Sequence, residues 1–348
     1  MYPALAVLQA ETNNDIEVLW VGSDDGIEAD LVKHAGIAYR GISAAGLHGV
    51  NVLTLPKRLL KLTKGYFSAK NIIKEFKPDV MFFTGGYVGF PVAMAGKGVP
   101  SVLFVPDIEP GMALNQLSKN ADVITLVCED SEKYFQDKSK TRITGYPTRK
   151  DIQQWDRDQA LKFFEFQQDL PVLFVFGGSK GAHSINQALR ANLSVLLEHC
   201  QVIHITGKLD WDDTKTYYDG LSEDFKKRYK VYPYLHEEMG AAFSAADLII
   251  SRAGASTLGE FPLFGVPAIL VPYPYAWRYQ KVNADYLVSK DAALMIRDEE
   301  LSEQMGPAVI DLLSHPEKLA AMKTAMTGLA NPKAAENILN ILKETAKK

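Results

Sequence analysis

Short apolar runs recur along this chain, spaced so that a helix fits between most of them. In the first half they fall at residues 17–21, 80–83, 101–105 and 123–127. In the second half they fall at 171–176, 201–205, 230–232, 248–250 and 268–271. Helical patterns lie between them, for example 186–198 and 237–246. Apolar runs alternating with helices describe parallel sheets covered on both faces. With 348 residues the chain is long for a single core. The expectation is an α/β fold of two doubly wound, Rossmann-like domains facing each other across a cleft. The first series of strands ends near Gly145-Tyr146-Pro147-Thr148-Arg149, which divides the chain into 1–148 and 149–332. A polar helix over 149–168 leads into the second domain. A last helix over 334–347 follows Asn331-Pro332, and the segment 333–348 is expected to pack back on the first domain.

Composition narrows the class. At 47% hydrophobic and 23% charged residues the chain is globular rather than disordered. A net charge of −4 gives no global field for nucleic acid, and no nucleic-acid partner is expected. Cys128 and Cys200 lie far apart in apolar surroundings and read as buried thiols, not as a disulfide or metal framework. HExxH and CxxC spacings are missing, so no catalytic metal is expected, and no Cys/His pairing points to a hydrolase. His204 reads as a core or strand-end residue, and His183 and His236 as surface residues. No apolar run approaches the roughly 20 residues that span a bilayer. Met1 leads directly into a short helix instead of a signal peptide, so a cytoplasmic protein is expected. Doubly wound nucleotide domains usually open on a strand and a glycine-rich turn. Here Met1-Tyr2-Pro3-Ala4-Leu5-Ala6-Val7 reads as the helix that follows such a turn, so the sequence is expected to be short at its start.

The chemistry concentrates in the loops after the strands. The run 248–284 combines a buried strand, the small-residue turn Ser251-Arg252-Ala253-Gly254-Ala255, and a helix starting at Ser256-Thr257 with Glu260 one turn in. A second strand and a proline-rich loop then lead to a polar helix with Gln280 and Asn283. A helix N-terminus at a strand's carboxyl end suits a pyrophosphate, and Glu260 is placed to accept hydrogen bonds from sugar hydroxyls. Together these features describe a nucleotide-sugar site. Gly177-Gly178-Ser179-Lys180-Gly181-Ala182 is either a second phosphate loop or a tight turn, and Asn186 is either a site residue or a surface amide. Gly85-Gly86-Tyr87 either lines an acceptor site or turns the chain around a packed tyrosine. Asp107 and Glu109, in a proline-flanked loop, are either a general base or helix caps. Residues 51–77 carry Lys57, Arg58, Lys61, Lys64, Lys70, Lys74 and Lys77 against Glu75, interleaved with Leu55, Leu59, Leu60, Leu62, Tyr66 and Phe67. Such a stretch rests on an anionic membrane surface or forms a solvated helix face.

These motifs, in this order, resemble the MurG family of GT-B glycosyltransferases (family 28) over nearly the whole chain. The carriers are Tyr2–Val7, Lys77-Pro78-Asp79-Val80 with Gly85-Gly86-Tyr87-Val88, and Gly145-Tyr146-Pro147-Thr148-Arg149. The others are Gly177–Ala182 with Asn186, and Arg252–Glu260 with Gln280 and Asn283. The resemblance implies an inverting transfer of GlcNAc from UDP-GlcNAc to the 4-hydroxyl of the MurNAc-pentapeptide of lipid I, an undecaprenyl-linked acceptor, forming lipid II for peptidoglycan. It implies no metal and no cofactor, and peripheral work at the inner face of the cytoplasmic membrane through residues 51–77. It places Arg149 and Ser179 on the diphosphate, Gly254, Ala255, Ser256, Thr257, Leu258 and Gly259 along the nucleotide, and Gly178, Gly181, Asn186 and Asn283 among the substrate-binding residues. Glu260 is placed on the ribose, Gln280 on the GlcNAc hydroxyls, Leu235 beside the uracil, and Gly86 with Tyr87 on the acceptor side. The segment Tyr234-Leu235-His236 has one residue more before Met239 than the family pattern. The family's first glycine loop, with its histidine, has no counterpart, and its HEQN segment aligns with Phe104-Val105-Pro106-Asp107. Asp107 is therefore expected to take the polar role there, as base, with Glu109 beside it. The alternatives are a related GT-B enzyme with another lipid acceptor, such as diacylglycerol, told apart by acceptor choice, and a UDP-sugar epimerase, which releases UDP without an acceptor. A truncated, impaired form would bind UDP-sugar without turnover.

Overall fold

The computed structural model describes residues 1–12, 15–24, 26, 28–44, 55–178 and 180–347. The chain divides into two compact units, Met1–Pro147 with Lys333–Lys348, and Thr148–Pro332.

The first unit contains β1 (Leu19–Ser23), β2 (Ala38–Ile42), β3 (Met81–Phe83), β4 (Ser101–Val105), β5 (Val123–Leu126) and β6 (Thr141–Ile143). β1 and β2 form one parallel pair, and β3-β4-β5-β6 a second parallel sheet. The second sheet has a dry interior. Leu103, Val105, Ile124 and Leu126 meet Leu114 and Leu117 of the helix Met112–Ser118. The helix Tyr2–Gln9 starts with Pro3, whose fixed φ suits a first turn, and buries Pro3 through Val7. The helix Ala334–Ala346 returns to this unit, buries Ile338, Leu339 and Leu342, and sets Lys343 against Glu11.

The second unit holds β7 (Val172–Phe176), β8 (Gln201–Ile205), β9 (Tyr229–Tyr232), β10 (Leu248–Ser251), β11 (Ala268–Leu270) and β12 (Ala293–Met295). All six are parallel, in the order β12-β11-β10-β7-β8-β9. β7, β8 and β10 are buried at every position, so their sequences need no polar alternation. The helix His183–His199 shows the complementary pattern. Ile185, Leu189, Leu193 and Leu196 recur every three or four residues on one buried stripe. Full burial of such side chains contributes about 1.5–3 kcal/mol each. Gly306 lets the helix Leu301–Ser314 approach this one, since a Cβ there would strike the Asn192 side chain.

The structure departs from the periodicity in two places. β2 and β6 carry no apolar run, and β12 lies in the short run 292–296 that the periodic series above omits. AYRGI is mostly exposed, and the other two are three residues long. The polar segment 149–168 is not one helix. A 3₁₀ turn, Asp151–Gln153, is followed by the helix Arg157–Phe163. Asp156 starts that helix with a capping box, in which its carboxylate accepts from the Gln159 N–H at 2.8 Å and Gln159 Oε1 accepts from the Asp156 N–H at 3.3 Å. Glu165 then takes a left-handed conformation (φ 55°), and the Gln201 side chain holds the Gln167 and Leu170 carbonyls in the loop.

Candidate functional site

The strand order of the second unit reverses at one point. From β7 the chain moves one way to β8 and β9; it then returns to β10 on the other side and continues to β11 and β12. β7 and β10 lie side by side, with Val175 opposite Ile250 and Phe176 opposite Ser251. At such a switch point the two following loops part and leave a crevice at the carboxyl ends of the strands. Those loops are Gly177–Ala182 and Arg252–Ser256, the two glycine segments singled out above.

Each loop has a physical reason for its glycines. Gly178 (φ 88°) and Gly181 (φ 82°) take left-handed conformations. A Cβ on Gly181 would collide with the Thr206 carbonyl, whereas nothing crowds Gly178, which is exposed. Its backbone can therefore meet a ligand directly. Ser179 lies outside the described residues. Across the crevice Gly254 also has open space, with Ala255 and Ser256 partly exposed beside it. Thr257 opens the helix Thr257–Phe264, and its hydroxyl donates to the Gly254 carbonyl at 2.7 Å. Leu258 is buried and Gly259 partly exposed. Asn283, fully buried on the helix Trp277–Ser289, donates to the Ala253 carbonyl at 3.1 Å and so holds the turn from below. Gln280, on the same helix, accepts from the Tyr273 N–H at 2.8 Å. Leu235, after β9, is buried.

Glu260 sits in the first turn of the helix Thr257–Phe264. Burial pushes its carboxyl up to about 7, against a hydrogen bond from Ser256 and the charge of Arg149, which both pull it down. Arg149 is itself held by Asp151 at 3.1 Å. An acidic group that titrates near neutrality, beside a helix N-terminus and an arginine, can bind a polyol when ionised and still tolerate burial when neutral.

Two supports lie behind the loops. Arg252, almost fully buried, donates to the Val271 carbonyl (3.1 Å) and the Ser184 hydroxyl (2.8 Å) and pairs with Asp298. Ser184 donates in turn to Asp298 at 2.7 Å. The ends of β10, β11 and β12 and the first turn of the helix after β7 are thus tied to one guanidinium. In the sequence Arg252 reads as part of the turn and of the donor-site run, not as a support. The available signal was a lone arginine at the end of a buried strand, one residue removed from its apolar run, which must be paired if it is buried. The second support is built on Asn186, which is buried. Its amide donates to the Thr206 carbonyl (2.9 Å) and Asp210 (2.7 Å), and its oxygen is 2.9 Å from His204 Nε2. His204 Nδ1 is 2.8 Å from the Tyr229 hydroxyl. Burial drives the His204 imidazole down to about 3, with Asp210 opposing, so it is neutral and Nε2–H donates to Asn186. Exposed His183 pairs with Asp210 at 2.9 Å. Asn186 thus shapes the Gly177–Ala182 side of the crevice through protein contacts.

The first-unit candidates also follow strand ends. Gly86 (φ 85°) and Tyr87 come after β3, and the Tyr87 ring is exposed. Asp107 and Glu109 follow β4, Asp107 partly exposed and Glu109 buried. Among the described residues no group of three or more His, Cys, Asp or Glu side chains is arranged to hold a metal ion.

Residues 1–124 match the glycosyltransferase family 28 N-terminal domain, and residues 172–338 match the family 28 C-terminal domain. Two relatives carry the name UDP-N-acetylglucosamine–N-acetylmuramyl-(pentapeptide) pyrophosphoryl-undecaprenol N-acetylglucosamine transferase. The one from Desulforamulus reducens is 37% identical, covering 99% of this chain and 95% of its own. The one from Thermodesulfovibrio yellowstonii is 35% identical, covering 98% and 94%. The chain belongs to the MurG family of glycosyltransferases. Its fold agrees: the crystal structure of Acinetobacter baumannii MurG superposes with a TM-score of 0.75 at 26% identity, covering 99% of this chain and 95% of that one. The architecture is GT-B, as MurG membership requires. Among the described residues no helix is long and apolar enough to cross a membrane.

Proposed function

We propose that the protein transfers GlcNAc from UDP-GlcNAc to the 4-hydroxyl of the MurNAc-pentapeptide of lipid I, with inversion, forming lipid II for peptidoglycan. The observation that carries this reading is the pair of glycine loops at the β7–β10 junction, with Glu260 and Arg149 beside them, in a chain of the MurG family. The unit Thr148–Pro332 is the donor unit. The backbone at Gly178, Gly181 and Gly254 to Gly259 lies along the diphosphate and nucleotide, with Ser179 on the diphosphate. Glu260 accepts from the ribose hydroxyls, Leu235 flanks the uracil, and Gln280 faces the GlcNAc hydroxyls. Arg149 and the positive end of the helix Thr257–Phe264 stabilise the charge that develops on the departing UDP.

In the step itself a carboxylate of the first unit takes the proton of the acceptor 4-hydroxyl. The bond from that oxygen to the anomeric carbon forms as the anomeric carbon–phosphate oxygen bond breaks, and the electron pair leaves on the UDP β-phosphate. Asp107 is the base in this reading, with Glu109 as its neighbour, and Gly86 and Tyr87 bear on the acceptor. A carboxylate acting in one displacement produces inversion without a covalent enzyme intermediate.

The first unit also meets the membrane in this reading. On the helix Leu55–Phe76, Leu60 and Phe67 are 58% and 59% exposed, and they share a face with Lys64 and Lys74. Exposed apolar groups among lysines suit an anionic lipid surface, where the lipid acceptor resides.

The test is UDP release from UDP-GlcNAc with and without a lipid I analogue. Acceptor-dependent release is expected. Release independent of the acceptor, or UDP binding without any release, would refute the transferase reading.

A further inference from the structure

Between β11 and the helix Trp277–Ser289 the chain makes a short turn over residues 272–276. Pro272 and Pro274 restrict its backbone, and the Tyr273 N–H is fastened to Gln280. The Ala276 N–H closes the turn on the Tyr273 carbonyl at 3.0 Å. The Arg252 guanidinium lies 5.3 Å from the centre of the Tyr273 ring. The Tyr275 ring packs against Tyr273 at 5.4 Å, inclined by 54°. The result is a ladder with a buried foot, Arg252, and an outer rung, Tyr275, which is 91% exposed.

Such a rung contributes little to the fold, because its ring stays in water. A rigid aromatic face is suited to a sugar. The C–H groups on one side of a hexopyranose pack on the π cloud while the hydroxyls at the rim stay solvated or bonded. A tyrosine also orders at small entropic cost, having two side-chain torsions.

The geometry points to Tyr275 as the stacking platform for the hexopyranose ring of the acceptor. The inference rests on the transferase reading above and adds the side chain that grips the second sugar. Gln280, at the foot of the turn, serves the donor GlcNAc. Its Oε1 is engaged by the Tyr273 N–H, so Nε2 is the atom directed to a sugar oxygen. In a displacement at the anomeric carbon the acceptor ring must approach within bonding reach of the donor ring. The outward aromatic on the turn fastened to Gln280 is therefore matched to that second ring. Its role is specificity: it holds the acceptor ring and takes no proton.

The experiment is steady-state kinetics of the full chain and its Tyr275→Ala, Tyr275→Phe and Tyr275→Trp variants, with UDP-GlcNAc and a short-chain, water-soluble lipid I analogue. Tyr275→Ala is expected to raise the acceptor KM about five- to tenfold, with kcat and the UDP-GlcNAc KM within about twofold of the wild type. Phe and Trp are expected to restore the acceptor KM, since the ring and not the hydroxyl makes the contact. UDP binding by each variant reports that the unit is folded. Wild-type turnover with an unchanged acceptor KM in Tyr275→Ala overturns the inference alone. So does a rise confined to the UDP-GlcNAc KM, or a failure of Phe to restore. Absence of acceptor-dependent release by the wild-type chain overturns the transferase reading, and this inference with it.

Discussion

In the second unit the candidate residues are fastened from behind. Arg252 gathers β10, β11, β12 and the helix after β7, and Asn186 joins Thr206, Asp210 and His204. The loops they carry are mostly backbone and small residues, so shape rather than side-chain motion defines what fits. In the first unit the strand-end groups are Tyr87, Asp107 and Glu109, and the helices leave Leu60, Phe67, Met94 and Met112 in the open. The contrast suits two kinds of ligand. A charged nucleotide of fixed shape rewards a preorganised cradle, whereas a lipid-borne substrate arriving from a surface rewards accessible apolar and basic groups.

The sharpest break of this comparison is at Asp107. Asp107→Asn is expected to lower kcat by about 10²–10⁴-fold with UDP affinity unchanged, because the proposed base lies in the first unit. Turnover within about fivefold of the wild type would move the base elsewhere. Next in size is Arg252→Ala, which leaves Asp298 without its guanidinium in a largely buried setting. Urea unfolding is expected to show a loss of about 3–5 kcal/mol, and UDP binding should fall with it. A loss below about 1 kcal/mol would mean that the loops are held by other contacts.

Glu260 gives a pH signature. Its carboxyl titrates near 7 in the fold, above the ordinary carboxylate range, because burial favours the neutral form. The stability this confers is complete at pH below the ordinary carboxylate value and is lost as pH rises through about 7. If Glu260 accepts from the ribose as proposed, binding favours the ionised group, so UDP-GlcNAc affinity is expected to rise over the same interval. Glu260→Gln should weaken binding at pH 8 by about tenfold or more and flatten the profile, as isothermal titration at several pH values would show. Arg149→Ala should shift the midpoint upward, because the arginine now holds it down. A wild-type profile already flat between pH 6 and 8 would remove Glu260 from the ligand. The smallest expected effect is at the membrane. Leu60→Ser with Phe67→Ser should weaken partitioning onto anionic vesicles by about tenfold and leave UDP affinity alone.

The second unit was the more legible in sequence because its inner strands β7, β8, β10 and β11 are buried at every position. Runs such as Val172–Phe176 and Leu248–Ser251 announce themselves by composition, and the glycine loops follow directly. β2 was hidden because most of its residues face water, and β6 and β12 because three residues carry no period. The segment 149–168 looked like one polar helix, yet Asp156 and Gln159 already spelled a fresh start, since a capping box marks a first turn even inside a helical pattern. Arg252 and the His204–Asn186 pair were not legible as supports. Their partners, Asp298 and Tyr229, lie at long sequence separation, and only the folded sheet brings them together.

The chain leaves the first unit at Pro147 and comes back to it at Lys333. During synthesis the second unit is therefore a contiguous stretch that can complete its core as soon as it clears the ribosome. The first unit must wait, with the helix Tyr2–Gln9 lacking its cover, until Ile338, Leu339 and Leu342 emerge behind the whole second unit. Nicking or removing the helix Ala334–Ala346 should thus damage the unit made before Thr148–Pro332, and leave Thr148–Pro332 itself folded and able to bind UDP.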